Sequence, residues 1–262
     1  MKFVIRDDDL NYFSTPTDIE AWYADVFAQG IPVGFATIPF IVPSGDAYPE
    51  PIPRIDGEYP VGENKQLVAY VKGNSLIEIL QHGTTHVTRN DLYEYRNPHI
   101  PRKETIRGRA GLVQAFGVEP RVFVPPHDWI GTAGIRSVEA AGMDIIRGRG
   151  AGLRNWIPRW AYLRVFFIML FRKLRYAFRH TAPAYPYVLD FGAHKEACSY
   201  RIEDDDVFDG LDYAHQKDGI FVVVTHLHFF TEEKKQRLSR LIRMAREYGA
   251  EFVYPQELFN RS

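Results

Sequence analysis

The sequence has little cysteine, no long apolar run and almost no net charge. Each of these shortages argues against one class of protein: disulfide-stabilised, membrane-spanning or nucleic-acid-binding. Cys198 is the single cysteine, so no internal disulfide can form and the fold does not depend on an oxidising compartment. No uncharged apolar stretch reaches the roughly 18 residues that a membrane span needs. The formal net charge is -1, so the chain lacks the basic excess that is typical of nucleic-acid-binding domains. We therefore expect no nucleic-acid partner.

The N-terminus lacks the apolar segment of a secretion signal. Only a short apolar run, residues 3–5, precedes the charged residues 6–9. A signal peptide carries an apolar region of about 7–15 residues before its cleavage site. We therefore expect the protein to stay in the cytoplasm.

Acidic residues are missing from one internal stretch. Between Ile145 and Leu189 there is no Asp or Glu, whereas nine Lys or Arg occur among Trp, Tyr and Phe residues. We interpret residues 147–186 as a basic, aromatic insertion. Two explanations stay open: a membrane-surface element that meets lipid phosphates at the inner membrane face, or an ordinary amphipathic helix packed on the domain.

Short apolar runs alternate with helical patterns along the rest of the chain. The repeated order of strand, helix and strand predicts a parallel sheet with right-handed crossovers. About eight strands in 262 residues favour one deformed (β/α)7-8 barrel over residues 1–262, with an open doubly wound sheet as the alternative. Residues 42–64 are rich in Pro, Gly and acid and are predicted to be a long loop. The predicted strands are Phe3–Arg6, Pro32–Thr37, Leu76–Leu80, Arg121–Val124, Asp144–Ile146, Tyr187–Asp190, Ile220–Thr225 and Glu251–Tyr254.

Four helices have clear sequence signals. Thr15 and Pro16 are the N-cap and first-turn proline of a helix that ends before Gly30. Glycine follows each of the other three helices, as is common at helix C-termini; these are Glu104–Phe116, Thr132–Ala141 and Glu232–Tyr248. In the last of them, Glu232–Tyr248, apolar residues also recur at the spacing of one helix face.

Polar residues gather where the predicted strands end. Because barrel chemistry takes place at the carboxyl ends of the strands, these motifs should converge on one face. Each motif alone has an ordinary structural explanation, such as a solvated turn or a buried histidine, but the motifs are far apart in the chain. They are Asp7–Asp9, His82–His86, Pro125–Trp129 and His226–His228.

One of the two histidine pairs suggests a metal centre. His82 and His86 are four residues apart, which places both imidazoles on one face if the segment is helical. Two histidines and a strand-end carboxylate would make a three-ligand set with open positions for water and substrate. His226 and His228 share a face if they lie on a strand.

A pair of prolines precedes the third motif. Pro125 and Pro126 would present His127 and Trp129 rigidly. Trp129 is either a core residue or a platform on which a sugar ring stacks. His127 is a candidate substrate contact.

These motifs resemble those of the polysaccharide-deacetylase (NodB-homology) superfamily, carbohydrate esterase family 4. The resemblance covers nearly the whole chain and is strongest in the order and spacing of the motifs. They are Asp8-Asp9, His82-Gly-Thr-Thr-His86, Arg121-Val-Phe-Val-Pro-Pro-His127 and Val-Thr-His226-Leu-His228. Such proteins have a deformed (β/α) barrel and bind a divalent metal, usually zinc; cobalt or nickel would also suit the site.

The resemblance implies a role for each site residue. The metal ligands would be Asp9, His82 and His86, the general base Asp8, and the general acid His226 or His228. The register that uses Asp7 and Asp8 instead is the less favoured alternative. Two departures stand out: Gly83 occupies the position where Ser or Thr is usual, and the Asp-Trp motif has no clear counterpart.

The implied activity is N-deacetylation of an acetamido sugar. With no secretion signal, the expected substrate is a nucleotide-linked or lipid-linked precursor of a surface polysaccharide, such as the O-antigen of lipopolysaccharide. Two alternatives stay open. One is hydrolysis of another small acyl group, such as formyl, and the other is a non-catalytic carbohydrate-binding or scaffold protein with a degenerate site.

Overall fold

A computed structural model describes residues 1–43, 57–89, 92–100, 102–149, 157, 159–176 and 182–260. Its centre is a closed barrel of seven parallel strands, which confirms the predicted (β/α)7-8 barrel. The strands are β1 (Lys2–Leu10), β2 (Val33–Thr37), β3 (Ile77–His82), β4 (Val122–Val124), β5 (Asp144–Gly148), β6 (Lys195–Arg201) and β7 (Ile220–His226).

Hydrogen bonds between neighbouring strands run once around the barrel. From β1 the order is β2, β3, β4, β5, β6 and β7, and β7 pairs with β1 again. In the last pairing, Asp8 lies opposite His226. The first and last barrel strands are therefore direct neighbours, and their carboxyl ends lie side by side.

Seven helices surround the barrel in the described part of the chain. α1 begins with a capping box between Thr15 and Asp18. α3 ends at Gly117, whose φ of 74° is the left-handed conformation that favours glycine. The helices are α1 (Pro16–Phe27), α2 (Lys65–Gly73), α3 (Lys103–Phe116), α4 (Thr132–Ala140), α5 (Trp160–Arg175), α6 (Val207–Gln216) and α7 (Glu232–Glu247). Among the described residues, no helix combines the length and apolar character needed to span a bilayer.

Side-chain alternation along β1 sorts its residues between two cores. Phe3 and Ile5 point outward and pack beneath the helices, whereas Val4 points into the barrel. The barrel interior is apolar at this level, lined by one residue from most strands. The same alternation sends Arg6 and Asp8 inward and Asp7 outward, which decides the position of the acidic triplet.

Two predicted strands have other roles. The segment predicted as Tyr187–Asp190 forms only a short strand, Leu189–Asp190, which pairs antiparallel with β6. The sixth barrel strand, Lys195–Arg201, was not predicted because its sequence mixes charged and polar residues that the fold buries. The last predicted strand is reduced to Glu251–Phe252, which pairs with the start of β1 outside the ring. The barrel thus closes with seven strands.

The basic, aromatic stretch 147–186 is the connection between β5 and β6 and includes α5. Tyr162 and Val165 bury one side of α5 against the barrel layer. Residues 150–156, 158 and 177–181 of this stretch lie outside the described residues, as do residues 44–56 of the predicted loop.

Candidate metal centre

Three predicted ligands meet at the carboxyl end of the barrel. Oδ1 of Asp9 lies 3.2 Å from Nε2 of His82 and 3.4 Å from Nε2 of His86. The ligand atoms of all three residues lie within 4.8 Å of one another. An Asp–His–His set with open positions is a donor set that divalent transition metals accept.

The hydrogen bonds around His82 fit a cation. Nδ1 of His82 lies 3.0 Å from the backbone oxygen of Val124, which can only accept, so Nδ1 carries the proton. In a neutral imidazole, Nε2 then turns a lone pair towards Oδ1 of Asp9. That buried oxygen has no partner with hydrogen-bond geometry among the described residues. A cation between the two would satisfy both lone pairs, and a backbone carbonyl behind the imidazole is typical of metal-bound histidine.

Burial and charge set the protonation of the cluster. Burial, together with the nearby His82 and His127, lowers the pKa of His86 to about 3. His86 is therefore neutral at neutral pH, as a metal ligand must be. Burial alone would raise the pKa of Asp9, but the adjacent imidazoles outweigh it and hold this pKa well below the usual carboxyl range.

A β-bulge lets two adjacent aspartates face the same cavity. The register between β1 and β2 shifts between Asp7 and Leu10. Asp9 has a φ of 74°, a left-handed conformation that is uncommon outside glycine. Strict alternation would point Asp9 away from Asp8, whereas the bulge turns it back towards the histidines. The sequence contains no signal for this bulge beyond the tolerance of Asp for such backbone angles.

Asp8 lies beside the ligand set and is held by a buried arginine. Arg6 is completely buried and donates two hydrogen bonds to Asp8. It also donates a bond of 3.1 Å to the carboxylate of Asp128, which accepts a further bond from the backbone amide of Gly148. Burial alone would raise the pKa of Asp128, but the charge of Arg6 outweighs burial and holds this pKa below its usual value. Arg6 thus supplies positive charge to Asp8, the middle residue of the acidic triplet.

Asp7 faces the opposite way. Its carboxylate accepts hydrogen bonds from the hydroxyls of Tyr23 and Thr225 and from the backbone amide of Leu227. Burial raises the pKa of Asp7 to about 7. Asp7 lies outside the ligand set and joins β1 to α1 and to the end of β7.

The loop from His82 to His86 is a tight turn and not a helix, so the helical explanation of the spacing is wrong. The carboxylate of Glu94 accepts backbone hydrogen bonds from Thr84, Thr85 and His86, at 2.9–3.1 Å. These bonds bring His86 over the end of β3, although its own φ is 57°. Sequence analysis missed Glu94 because no local pattern relates it to the loop.

Gly83 is explained by the same turn. Its φ is 62°, and a Cβ atom there would lie 2.5 Å from Cγ of Pro126 and 2.6 Å from Oε2 of Glu94. Ser or Thr at this position would therefore be strained and would collide with both neighbours. The departure from the family motif is a local packing requirement of this chain.

The two late histidines occupy different places. His226 ends β7 and lines the cavity above the ligand set. His228 lies in a short 3₁₀ turn, where its Nε2 is 3.0 Å from Nδ2 of Asn11 and 3.2 Å from the backbone oxygen of Asp9. Among the described residues, the cavity lining includes His226 but not His228. His228 thus supports the bulge from behind.

The cavity of about 410 Å³ also contains both predicted substrate contacts. The ring of His127 stacks on Tyr93, with 4.0 Å between their centroids, and lies 4.7 Å from the ring of His86. Trp129 is 37% exposed, and the guanidinium of Arg96 lies 4.8 Å above its ring. Arginine therefore covers one face of the indole. The remaining lining residues, which sequence analysis did not select, are Asp128, Tyr93, Arg201, Glu203, Phe229 and Lys234.

No protein-family model and no curated protein sequence matches the chain, but solved structures do. A peptidoglycan N-acetylglucosamine deacetylase aligns with a TM-score of 0.54 and 12% identity, over 100% of this chain and 89% of that one. The CE4 domain of a multidomain xylanase from the hindgut metagenome of Trinervitermes trinervoides aligns with a TM-score of 0.51 and 12% identity, over 98% of this chain and 88% of that one. A CE4 family pseudoenzyme from Bacillus anthracis aligns with a TM-score of 0.53 and 12% identity, over 99% of this chain and 66% of that one. The chain therefore has the fold of carbohydrate esterase family 4, as its motifs predicted.

Proposed function

We propose that this protein is a metal-dependent hydrolase that removes the N-acetyl group from an acetamido sugar. The observation that carries the proposal is the Asp9, His82 and His86 set in a cavity that also contains Asp8 and His226. The fold supports it, since one protein of the same fold is a peptidoglycan N-acetylglucosamine deacetylase.

The surrounding residues have separate tasks in this proposal. A bound divalent cation, zinc being the first choice and cobalt or nickel the alternatives, would polarise the acyl carbonyl and lower the pKa of a bound water. Asp8, oriented by Arg6, accepts the proton of the attacking water. His226, on the neighbouring strand, donates a proton to the leaving amine nitrogen.

His226 is preferred over His228 as the general acid because of its position. It lies opposite Asp8 in the β1–β7 pairing and lines the cavity, whereas His228 contacts Asn11 behind the bulge. A proton donor must reach the leaving group directly or through one water. Tyr93, His127 and Trp129 also line the cavity and are left to contact the sugar ring.

A non-catalytic function is the second candidate. One protein of the same fold is a CE4 family pseudoenzyme, so the barrel can persist without the activity. Hydrolysis of another small acyl group, such as formyl, would use the same residues and differ only in the acyl pocket.

Metal content is the deciding measurement. We expect the purified protein to contain close to one divalent metal ion per chain by elemental analysis, and His82→Ala and His86→Ala to lose it. His99→Ala is the matched control, because His99 is exposed and belongs neither to the ligand set nor to the cavity lining. Release of acetate from N-acetylglucosamine derivatives, compared with the N-formyl analogues, then identifies the acyl group. A protein that binds no metal after reconstitution contradicts the hydrolase and favours a binding protein.

We also propose that the substrate is a lipid-linked or nucleotide-linked precursor of a surface polysaccharide, processed at the inner face of the membrane. The support is α5, which exposes Trp160 (86%), Phe171 (67%) and Leu174 (62%). Arg172, Lys173 and Arg175 lie in its last turn. Exposed aromatic and basic residues on one helix are typical of peripheral contact with anionic lipid.

Sedimentation with vesicles tests this contact. We expect binding to vesicles that contain phosphatidylglycerol, weaker binding to phosphatidylcholine, and loss of binding in a Trp160→Ser/Phe171→Ser variant. Equal recovery of the variant and the parent protein with anionic vesicles contradicts the membrane contact and leaves the proposed hydrolysis untouched.

A further inference from the structure

A second cavity adjoins the metal-site cavity. Its volume is about 490 Å³, and it shares His127, Asp128, Trp129 and Arg201 with the first cavity. A ligand whose reacting group lies over the metal ligands can therefore extend directly into the second cavity. The residues that line this second cavity would therefore contact the part of the substrate next to the acetamido group.

Arginine dominates its lining. The cavity is bordered by Arg96, Arg147, Arg149 and Arg201, against the two acids Asp128 and Asp204. The N-terminus of α4 follows directly after Gly131, which also lines the cavity. The positive end of that helix adds to the field of the arginines.

Two of these arginines are fixed by ion pairs with neighbouring acids, one of which, Asp204, also lines the cavity. Arg147 donates from Nε and Nη2 to Glu196, which is 1% exposed. Burial alone would raise the pKa of Glu196, but the charge of Arg147 outweighs burial and holds this pKa below its usual value. Arg149 is paired with Asp204 and Asp206. These pairs hold the guanidinium groups in place before any ligand arrives.

The other two arginines form no ion pair with the described residues. Arg96 lies on the ring of Trp129, and Arg201 reaches both cavities. Of the two acids in the lining, Asp128 is already bound by Arg6 and Asp204 by Arg149. Arg96 and Arg201 therefore present guanidinium groups that no described acid binds in an ion pair, although the charge of Arg201 also acts on Asp128. Guanidinium groups in such a setting bind phosphate with two parallel hydrogen bonds.

We infer that this second cavity, the arginine cavity, binds a phosphate group of the substrate, so that the substrate is a glycosyl phosphate or diphosphate. The inference rests on the proposed function, because the metal cavity holds the acetamido sugar whose phosphate reaches Arg96 and Arg201. A carboxylate offers related oxyanion chemistry, and the experiment separates it from phosphate.

The test compares one sugar in three charge states. The substrates are N-acetylglucosamine 1-phosphate, the methyl glycoside of N-acetylglucosamine, and the corresponding 2-acetamido uronic acid methyl glycoside. We expect kcat/KM for the phosphate to exceed that for the uncharged glycoside by about tenfold or more. We expect this ratio to fall about tenfold in Arg96→Gln and in Arg201→Gln, with metal content and melting temperature unchanged. Arg243→Gln, an exposed arginine on α7 that lines neither cavity, is the matched control.

A binding arm keeps the inference separate from catalysis. Inorganic phosphate is titrated into the metal-loaded protein and its two arginine variants by calorimetry, with acetate as the competing oxyanion. Weaker phosphate binding in both variants supports the arginine cavity even if no substrate is hydrolysed, in which case only the proposed function fails. Three outcomes would each overturn the phosphate assignment. The first is an equal kcat/KM for the sugar phosphate and the uncharged glycoside. The others are phosphate binding that is unchanged in both variants, and a higher kcat/KM for the uronic acid than for the sugar phosphate.

Discussion

The guanidinium of Arg6 holds the carboxylate of Asp8 by two hydrogen bonds, from Nε to Oδ1 at 2.8 Å and from Nη2 to Oδ2 at 2.6 Å. The two residues lie on one strand, two positions apart, so strand alternation alone places both inside the barrel. The pair fixes the orientation of Asp8 next to the candidate ligand Asp9. The candidate base is therefore oriented by the same strand that supplies a candidate metal ligand.

Asp8→Asn should separate catalysis from metal binding. An amide keeps the shape of the carboxylate but cannot accept a proton, so we expect deacetylation to fall by about 10²- to 10⁴-fold. Metal content should stay at the wild-type level, because Asp9, His82 and His86 are intact. Asp205→Asn, at an exposed acid, is the control. If Asp8→Asn instead retained wild-type turnover, the base would have to be another residue.

Glu94→Gln should weaken metal binding without touching a ligand. The carboxylate accepts from three backbone amides and from the hydroxyl of Thr85. In the Gln variant, the side-chain nitrogen would place a donor opposite these donors, so a buried donor would lose its acceptor. Such a loss costs about 1–3 kcal/mol of stability. We expect metal affinity to drop by about 10- to 100-fold, as is usual when support behind a ligand is lost. Titration with a chelator measures this, with Glu119→Gln at an exposed ion pair as control; unchanged affinity would contradict the role of Glu94.

Gly83→Ala should destabilise the protein more than Gly30→Ala. Both glycines have a positive φ, 62° and 70°, but a Cβ at Gly30 meets nothing within 4 Å. Gly30→Ala therefore reports backbone strain alone, about 1 kcal/mol. Gly83→Ala adds the collisions with Pro126 and Glu94, and we expect a loss of about 2–4 kcal/mol in the free energy of unfolding. Equal losses in urea unfolding would show that the turn rearranges freely.

Glu78→Gln should stabilise the protein, and more at higher pH. Burial raises the pKa of Glu78 to about 8 in the folded protein, above the ordinary value of about 4.3. The folded state therefore favours the protonated form. Its stability is highest below the unfolded pKa and is lost progressively as pH rises through about 8.

The Gln side chain stays neutral and can still accept from the amide of Gln256, as Glu78 does. Because Glu78 is only partly buried, we expect a gain of about 1–2 kcal/mol at pH 8 and little at pH 5. Thermal unfolding at both values measures this, with the exposed Glu251→Gln as reference. A gain that is the same at both values would contradict the pKa assignment.

Much of the site could be predicted because barrels bring strand ends together. The sequence places Asp9, His82, His86 and His226 after apolar strands, and the structure gathers all four around one cavity. The physical rule needs only strand order, and strand order follows from apolar runs separated by helical patterns.

The remainder depends on interactions that no local pattern encodes. β6 was missed because Glu196 is buried by a pairing with Arg147 that is distant in the chain. The turn at His86 depends on Glu94, and the shared direction of Asp8 and Asp9 depends on a bulge. In each case a tertiary contact stabilises a conformation that the local sequence disfavours.

The pairing of β1 with β7 has a consequence for how the protein acquires its site. Along one of its edges, β1 pairs through residues 2–8 with residues 220–226, so the candidate base and the candidate acid come together across more than 200 residues of the chain. During synthesis the carboxylate of Asp9 leaves the ribosome well before the strand beside it, because more than 200 residues separate the two. Until β7 is synthesised, the partly formed barrel therefore leaves one edge of β1 unpaired, and an unpaired strand edge is a site for aggregation. Contacts of such long sequence separation also slow folding, and the activity should appear only when the ring is closed.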